Sequence, residues 1–310
     1  MSMPMPPPDT RSAGQTGHIA DHNTISDALD WLGDAVGALQ SGSAAVTPAW
    51  LNVRAYGAAG DGNSDDTTAI QNAIEACARG GGGIVYLPAG TYRVTGNLPV
   101  TGQGTYLDGD GIAATTIIYE GSGDCISMHS PSAGGTSGMN HGGGIRGLTI
   151  VGASSTATAG VNAGDWYALE FDLQVTGFTA VGSYGVHFEN TFGWTEKTRG
   201  RIAASQCDTC VGFDVTATVG PGTATRSFGY TDLTLELDGV TGHGITVTNG
   251  AQVYHSRIVA RMNVQGGAGA TYACLAVTGK IIAGLPNAAS SSQIASSYLD
   301  IQAEANSGTP

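Results

Sequence analysis

Between Leu51 and Val94 the chain reads LNVRAYGAAGDGNSDDTTAIQNAIEACARGGGGIVYLPAGTYRV: a strand, a turn, one helix, a glycine stop and a second strand. Val53 and Tyr56 belong to a short extended piece, and Gly57, Gly60 and Gly62 break it, because glycine accepts positive φ at low cost. Asp65 and Asp66 precede Thr67, where a carboxylate oxygen can cap the open N–H groups of a helix. Ile70, Ala73, Ile74 and Cys77 recur at helical spacing and form one apolar face. Arg79 lies in the last turn and Gly80 to Gly83 end the helix. Ile84-Val85-Tyr86-Leu87, closed by Pro88 and Gly90, reads as a buried strand. A one-faced helix beside short buried strands suits the end of a stack, which must hide its first apolar layer.

From residue 95 onward the chain consists of short apolar alternations punctuated by glycine, of which it has 49. One series is Gly160-Val161, Gly185-Val186-His187-Phe188, Gly212-Phe213-Asp214-Val215 and Gly244-Ile245-Thr246-Val247. A second series interleaves with it: Leu148-Thr149-Ile150, Leu169-Glu170-Phe171, Leu233-Thr234-Leu235, Arg257-Ile258-Val259 and Leu299-Asp300-Ile301. Such spacings are those of solenoid coils, with loops of variable length between strands. Sandwiches and antiparallel barrels would place hairpin turns at shorter intervals. The expected fold is an all-β solenoid, a single parallel β-helix over residues 51–310 with an N-terminal capping α-helix.

Residues 51–94 resemble the entry module of the right-handed parallel β-helix proteins of the pectate-lyase superfamily, which includes bacteriophage tailspikes and many polysaccharide-degrading enzymes. GQTGHIADHNTISDAL (residues 14–29) and GVHFENTFGWTEKTRGRIAASQCDTCVGFDV (185–215) look like segments of phage tail proteins with β-helical bodies. The resemblance implies a tailspike or tail fibre subunit of the virion tail. Such a subunit is assembled in the host cytoplasm as a homotrimer and acts outside the cell. It docks on tail or baseplate proteins through its N-terminal segment and binds a host surface glycan, which it cleaves or only holds. The alternatives are a structural or receptor-binding tail protein without catalysis, and a cellular β-helix polysaccharide hydrolase or lyase.

Ahead of the β region, residues 1–17 form a Pro- and Ser-rich arm expected to be irregular. Residues 18–40 read as a helical anchoring and trimerisation segment, and 41–50 as a linker. Ile25, Leu29, Leu32, Val36 and Leu39 follow an a/d heptad seam, interrupted by Gly33 and Gly37. A single helix packed on its own chain and a short parallel coiled coil both fit.

The formal net charge is −13, and the 12 lysines and arginines are scattered singly. A nucleic-acid partner is therefore not expected. The missing concentration of basic residues also argues against lyase chemistry on a polyanion. No apolar run reaches bilayer length, so no membrane insertion is expected, and the first residues lack a standard secretory signal. The five cysteines read as reduced core thiols. No cofactor or metal is expected. Counting an EF-hand loop from Asp61 places Asp66 and Asn72 where glycine and glutamate belong. The histidines are dispersed, with His18 and His22 alone at helical spacing, and no H-E-x-x-H occurs.

Coils stack about 4.8 Å apart, so acids at matching positions of neighbouring coils lie close enough to form an acid/base pair. The candidate catalytic residues are Glu170, Asp172, Glu189 and Glu196, with Trp166, Tyr184 and Trp194 as candidate sugar-binding residues. Asp165 and Tyr167 fall in the same stretch. Glu170 and Asp172 alternate with Leu169, Phe171 and Leu173, so they point outward together, and Glu189 is expected on the same exposed face. Outward acids on a β-helix are otherwise a solvated face. A second group, Asp214, Asp232, Glu236 and Asp238, has fewer aromatic neighbours.

Overall fold

A computed structural model of the chain describes residues 50–130, 139–216, 227–264, 273–278 and 292–305, all within the unit Pro48–Pro310. The helical segment proposed for 18–40, its Ile25–Leu39 seam, the arm 1–17, His18, His22 and all of the linker but Trp50 lie outside the described residues.

The described residues form a parallel β-helix. Each full coil contributes one strand to each of three sheets, with 12, 7 and 6 strands. One coil runs through Glu170–Thr176 in the first sheet, Tyr184–Asn190 in the second and Thr195–Glu196 in the third. The next repeats this as Arg199–Ser205, Thr209–Val215 and Ser227–Gly229. Each strand pairs in parallel with its counterpart one coil away. The period-2 pattern then aligns inward residues into columns. Ile126, Val161, Val186, Val211 and Ile245 form one such column on the second sheet. Beside it the rings of Phe188 and Phe213 stack at 5.1 Å, extended by Phe171 and Phe228 at 5.7 and 5.5 Å. Each such ring pair adds roughly 0.5–1.5 kcal/mol beyond burial.

The N-terminal coils are built from shorter strands. Gly144–Gly152 pairs through its first half with Thr105–Gly109 and through its second half with Thr115–Tyr119. The register shifts between Arg146 and Leu148, where Gly147 has φ +62°. Ahead of these strands, helix α1 (Thr67–Arg79) buries Ile70, Ala73, Ile74 and Cys77. Its capping differs in detail from the sequence expectation. Asp65 alone accepts the Thr67 N–H, at 3.1 Å. Asp66 reaches back to accept Ala59 N–H and Gly60 N–H at 2.6 and 3.1 Å, and so closes the glycine turn ahead of the helix.

Parallel stacking also gathers side chains that are scattered in sequence. On the outer face of the first sheet, Glu170, Arg199, Asp232 and Arg257 form a row of alternating charge. The neighbouring row is Asp108, Arg146, Asp172 and Arg201. Arg146, Arg199, Arg201 and Arg257 line one depression of about 570 Å³. Four arginines scattered along the chain therefore gather in space, each beside a carboxylate. Strands about 25 to 30 residues apart in sequence are next-door neighbours in a solenoid.

Candidate functional site

The outer face of the second sheet brings two histidines together with several carboxylates. Two outward rows run across its strands. The first is Ser127, Asn162, His187, Gly212 and Thr246. The second places His129 opposite Gly164 and Glu189 opposite Asp214.

His187 lies between two carboxylates supplied by adjacent coils. Its Nδ1 is 3.8 Å from Glu189 Oε2 and its Nε2 is 3.6 Å from Asp214 Oδ2. The Nε2 makes no hydrogen bond. The Tyr184 ring stacks on the imidazole at 3.9 Å and 3°. Gly212 permits this stacking: a Cβ there would come within 2.5 Å of Tyr184 Cε1.

Asn162 ties the site together. Its amide donates to Glu189 Oε2 at 2.7 Å and to Asp124 Oδ2 at 2.9 Å, while its Oδ1 meets His129 Nε2 at 3.0 Å. Asn249 donates to Asp214 Oδ1 at 2.6 Å. Burial pushes the Asp214 carboxyl up, but His187 and the Asn249 amide outweigh it and hold the group below the ordinary carboxylate value. Asp214 is thus an anion at neutral pH. Burial pushes His129 down, but the Asp165 carboxylate and the Asn162 carbonyl outweigh it and hold the imidazole above its ordinary value. Burial, followed by the charges of Asp214, Glu189 and Asp208, raises the Tyr184 phenol, which stays protonated. The cluster therefore offers an imidazole between two carboxylates, a neutral phenol and a second imidazole that favours its cationic form.

The residues singled out from sequence are distributed over all three sheets. Glu189 and Tyr184 meet at His187. Glu170 and Asp172 share an outward face as expected, but it is the face of the first sheet, and Glu189 is not on it. An arginine on the next coil engages each of them: Arg199 pairs with Glu170, and Arg201 lies 3.9 Å from Asp172 while forking onto Glu236. Glu196 is in the third sheet, where it accepts the Tyr254 hydroxyl at 2.6 Å and the Ser227 hydroxyl at 3.0 Å. Trp166 is not an exposed ring: it is fully buried, and its indole N–H donates to the Gly142 carbonyl at 2.7 Å. Trp194 is half-buried in the loop after Asn190.

His187, His129, Asn162 and Asp124 are absent from the sequence-derived set, and Asp214 stood in the weaker one. A signal for part of the cluster does exist. Val186-His187-Phe188-Glu189 and Val211-Gly212-Phe213-Asp214 share an apolar–x–Phe–acid pattern, and it is this pattern that the structure brings into register.

Replacing Gly212 with alanine gives a local test of the site. The new methyl would displace the Tyr184 ring from His187. Any proton transfer carried out by this cluster is expected to slow by up to about 10²-fold, the scale set by a small misplacement of a reacting group. The melting temperature should fall only modestly, since the methyl lies outside the core. Unchanged turnover would show that the Tyr184 stack plays no part.

Among the described residues no group of three or more His, Cys, Asp or Glu side chains is arranged to hold a metal ion.

The parallel β-helix is the fold that the resemblance of residues 51–94 to pectate-lyase-like proteins implies. The Rhamnogalacturonase A/epimerase, pectate lyase-like family model matches residues 50–271, and the chain belongs to this family. Among curated proteins it resembles mannuronan C5-epimerase AlgE1 of Azotobacter vinelandii, 48% identical over 123 residues, or 37% of this chain and 9% of that protein. It also resembles plasmin and fibronectin-binding protein A of Streptococcus pneumoniae, 62% identical over 45 residues, or 14% of this chain and 6% of that protein. The matched region thus spans less than a tenth of either relative. Among solved structures it is similar to ORF18 of Geobacillus virus E2, with 18% identity, a TM-score of 0.47, and coverage of 90% of this chain and 64% of that one.

Proposed function

We propose that the β-helix binds a uronic-acid polysaccharide on the outer face of its second sheet and performs proton transfer at a sugar carbon there. The observation that carries this reading is the imidazole of His187 between Glu189 and Asp214. A glycosidase keeps its two acids roughly 5–9.5 Å apart with the scissile bond or a water between them. Here a histidine ring fills that space, and the other outward acids, Glu170 and Asp172, face arginines. Neither pair suits hydrolysis.

A histidine flanked by two carboxylates suits removal of the proton beside a uronate carboxyl group. The electron pair left behind is delocalised into that carboxyl group, and His129, whose imidazole favours its cationic form, supplies positive charge beside it. Tyr184 is protonated and in contact with His187; it can supply a proton to the carbon, and delivery to the face opposite the lost proton would invert it. It can instead protonate a departing glycosidic oxygen, which completes an elimination. The names of the epimerase relatives fit this chemistry.

The wider setting we propose is a virion tail spike or fibre subunit that applies this site to a host surface glycan. In this reading it is a homotrimer anchored through residues 18–40 to tail or baseplate proteins. The support is the likeness of residues 14–29 and 185–215 to phage tail segments.

Incubation with polymannuronate or polygalacturonate in heavy water separates the readings. Inversion carries deuterium onto the sugar carbon, seen by NMR. Elimination creates unsaturated ends that absorb in the ultraviolet. New reducing ends with neither signal would mean hydrolysis and would sink the proton-transfer reading. Binding with none of the three signals would leave a receptor-binding protein without catalysis. Light scattering on the full chain tests the trimer, and a monomer at micromolar concentration would count against it.

A further inference from the structure

The turn from the third sheet back to the first repeats one unusual backbone feature in successive coils. Ala168, Lys197, Tyr230, His255 and Ser296 occupy this turn with φ between +48° and +63°. Non-glycine residues seldom adopt this conformation, and bulky ones least of all. Asparagine or glycine would fit the same turn without strain. Large side chains held at strained positions point to a function for the side chains themselves.

Two of these side chains, Tyr230 and His255, form an aromatic strip with Tyr254. Tyr230 and His255 stack at 5.6 Å and 23°. Tyr254 packs edge-on against both, at 6.0 and 5.4 Å. Its ring lies across Gly229, where a Cβ would come within 2.7 Å of Cζ, and its hydroxyl is pinned by Glu196 and Ser227 at 2.6 Å each. Further along the same edge, His141 and Tyr167 pair at 5.1 Å, and Lys197 Nζ sits 5.0 Å from the Tyr167 ring centre. Tyr230 is 52% exposed and Tyr298 59%. Together with His255, Asp232 and Arg257 they line an open depression of about 720 Å³.

We propose that this edge is a second glycan-binding platform, separate from the His187 cluster, and that it takes a pyranose chain running along the solenoid axis. Three observations select a sugar. Exposed rings present flat apolar surface to the C–H face of a pyranose. The Asp232–Arg257 pair at the rim, 2.9 Å apart, offers acceptors and donors to hydroxyl groups. The coils repeat about every 4.8 Å, so Tyr230 and Tyr298, two coils apart, can contact two units of one chain. The net charge of −13 argues against a nucleic acid as the occupant. The proposal borrows the polysaccharide reading only to choose probes and needs no turnover.

The test is affinity electrophoresis of the full chain in native gels containing polymannuronate or neutral dextran. Wild type should be retarded in at least one gel. Tyr230→Asn with Tyr298→Ala should weaken that retardation roughly tenfold in apparent dissociation constant, the effect of losing two ring contacts. Asparagine suits the left-handed turn, so the melting temperature should hold. Should it drop, Tyr298→Ala alone, at the more exposed position, carries the test. Retardation is read without turnover and the double variant leaves the His187 cluster intact, which keeps failure of the platform distinct from failure of the catalytic reading. Retardation unchanged in the double variant, or absent from both gels, overturns the proposal. So does self-association of the wild type that the double variant loses, because the strip would then be a contact between chains.

Discussion

Alanine in place of His187 is expected to lower turnover of a uronic-acid polymer by about 10²–10⁴-fold, the usual range for loss of a general acid or base. The circular-dichroism spectrum should be that of a folded β-helix, because His187 lies on the outer face and the core columns do not include it. Glu189→Gln and Asp214→Asn should each reduce turnover as well, by removing the charges on either side of the imidazole. Glu170→Gln combined with Asp172→Asn supplies the contrast. Those acids face Arg199 and Arg201 on the first sheet, and their amides should leave turnover near wild type. Rates measured under saturating substrate distinguish the two sets. Full activity in His187→Ala, or loss of it only in the Glu170/Asp172 double variant, would move the chemistry to the first sheet.

The distance between those two sets of acids shows what the sequence exposes and what it conceals. Alternation places Glu170, Asp172 and Glu189 outside correctly, because the side-chain period of a strand is two. It cannot say which sheet a strand joins, since that depends on turns between strands. Glu170 and Glu189 stand on different faces of the solenoid although only a short loop separates their strands. Register is concealed for a related reason. Aligning Gly185 with Gly212, the natural reading of the glycine series, puts His187 opposite Asp214 and Glu189 opposite Thr216. The structure pairs His187 with Gly212 and Glu189 with Asp214. A slip of two residues preserves every inside–outside assignment, so hydrophobic pattern cannot detect it, whereas a slip of one would reverse them all. The apolar columns and the capping helix were legible because they depend on parity and helical period alone. The site depends on the identity of the neighbour one coil away. Trp166 adds a further limit. Aromatic residues beside acids suggest a sugar site, but the same residues build cores, and here the indole lies inside with its N–H satisfied by Gly142.

The loop that closes the edge of the site offers the largest expected effect on stability. Asp165 is fully buried and has φ +55°. Its carboxylate accepts the N–H groups of Thr191, Phe192 and Gly193, at 3.0, 3.1 and 2.8 Å, and the Thr191 hydroxyl at 2.5 Å. His129 Nδ1 lies 3.7 Å away. Burial pushes the Asp165 carboxyl up, but His129, Thr191 and the loop amides outweigh it and hold the group below its ordinary value. Asp165→Ala would strand the buried donors and remove the partner of a half-buried imidazole, at an expected cost of about 3–5 kcal/mol. The effect should depend on pH. A depressed carboxyl contributes fully above its unfolded value, near 3.9, and loses that contribution as pH falls through the lower folded value. The raised His129 contributes fully below about 6.5 and loses its contribution as pH climbs through its folded value. The stabilisation from this pair is therefore fullest between about pH 4 and 6.5, and the difference in melting temperature between wild type and variant should be widest in that window. Imidazole chemical shifts provide a second reading: the His129 titration should move downward in Asp165→Ala, because burial would then act without its carboxylate. A variant with wild-type melting temperature across the window, or an unmoved His129 titration, would mean that the loop is held by other contacts and that Asp165 is not its anchor.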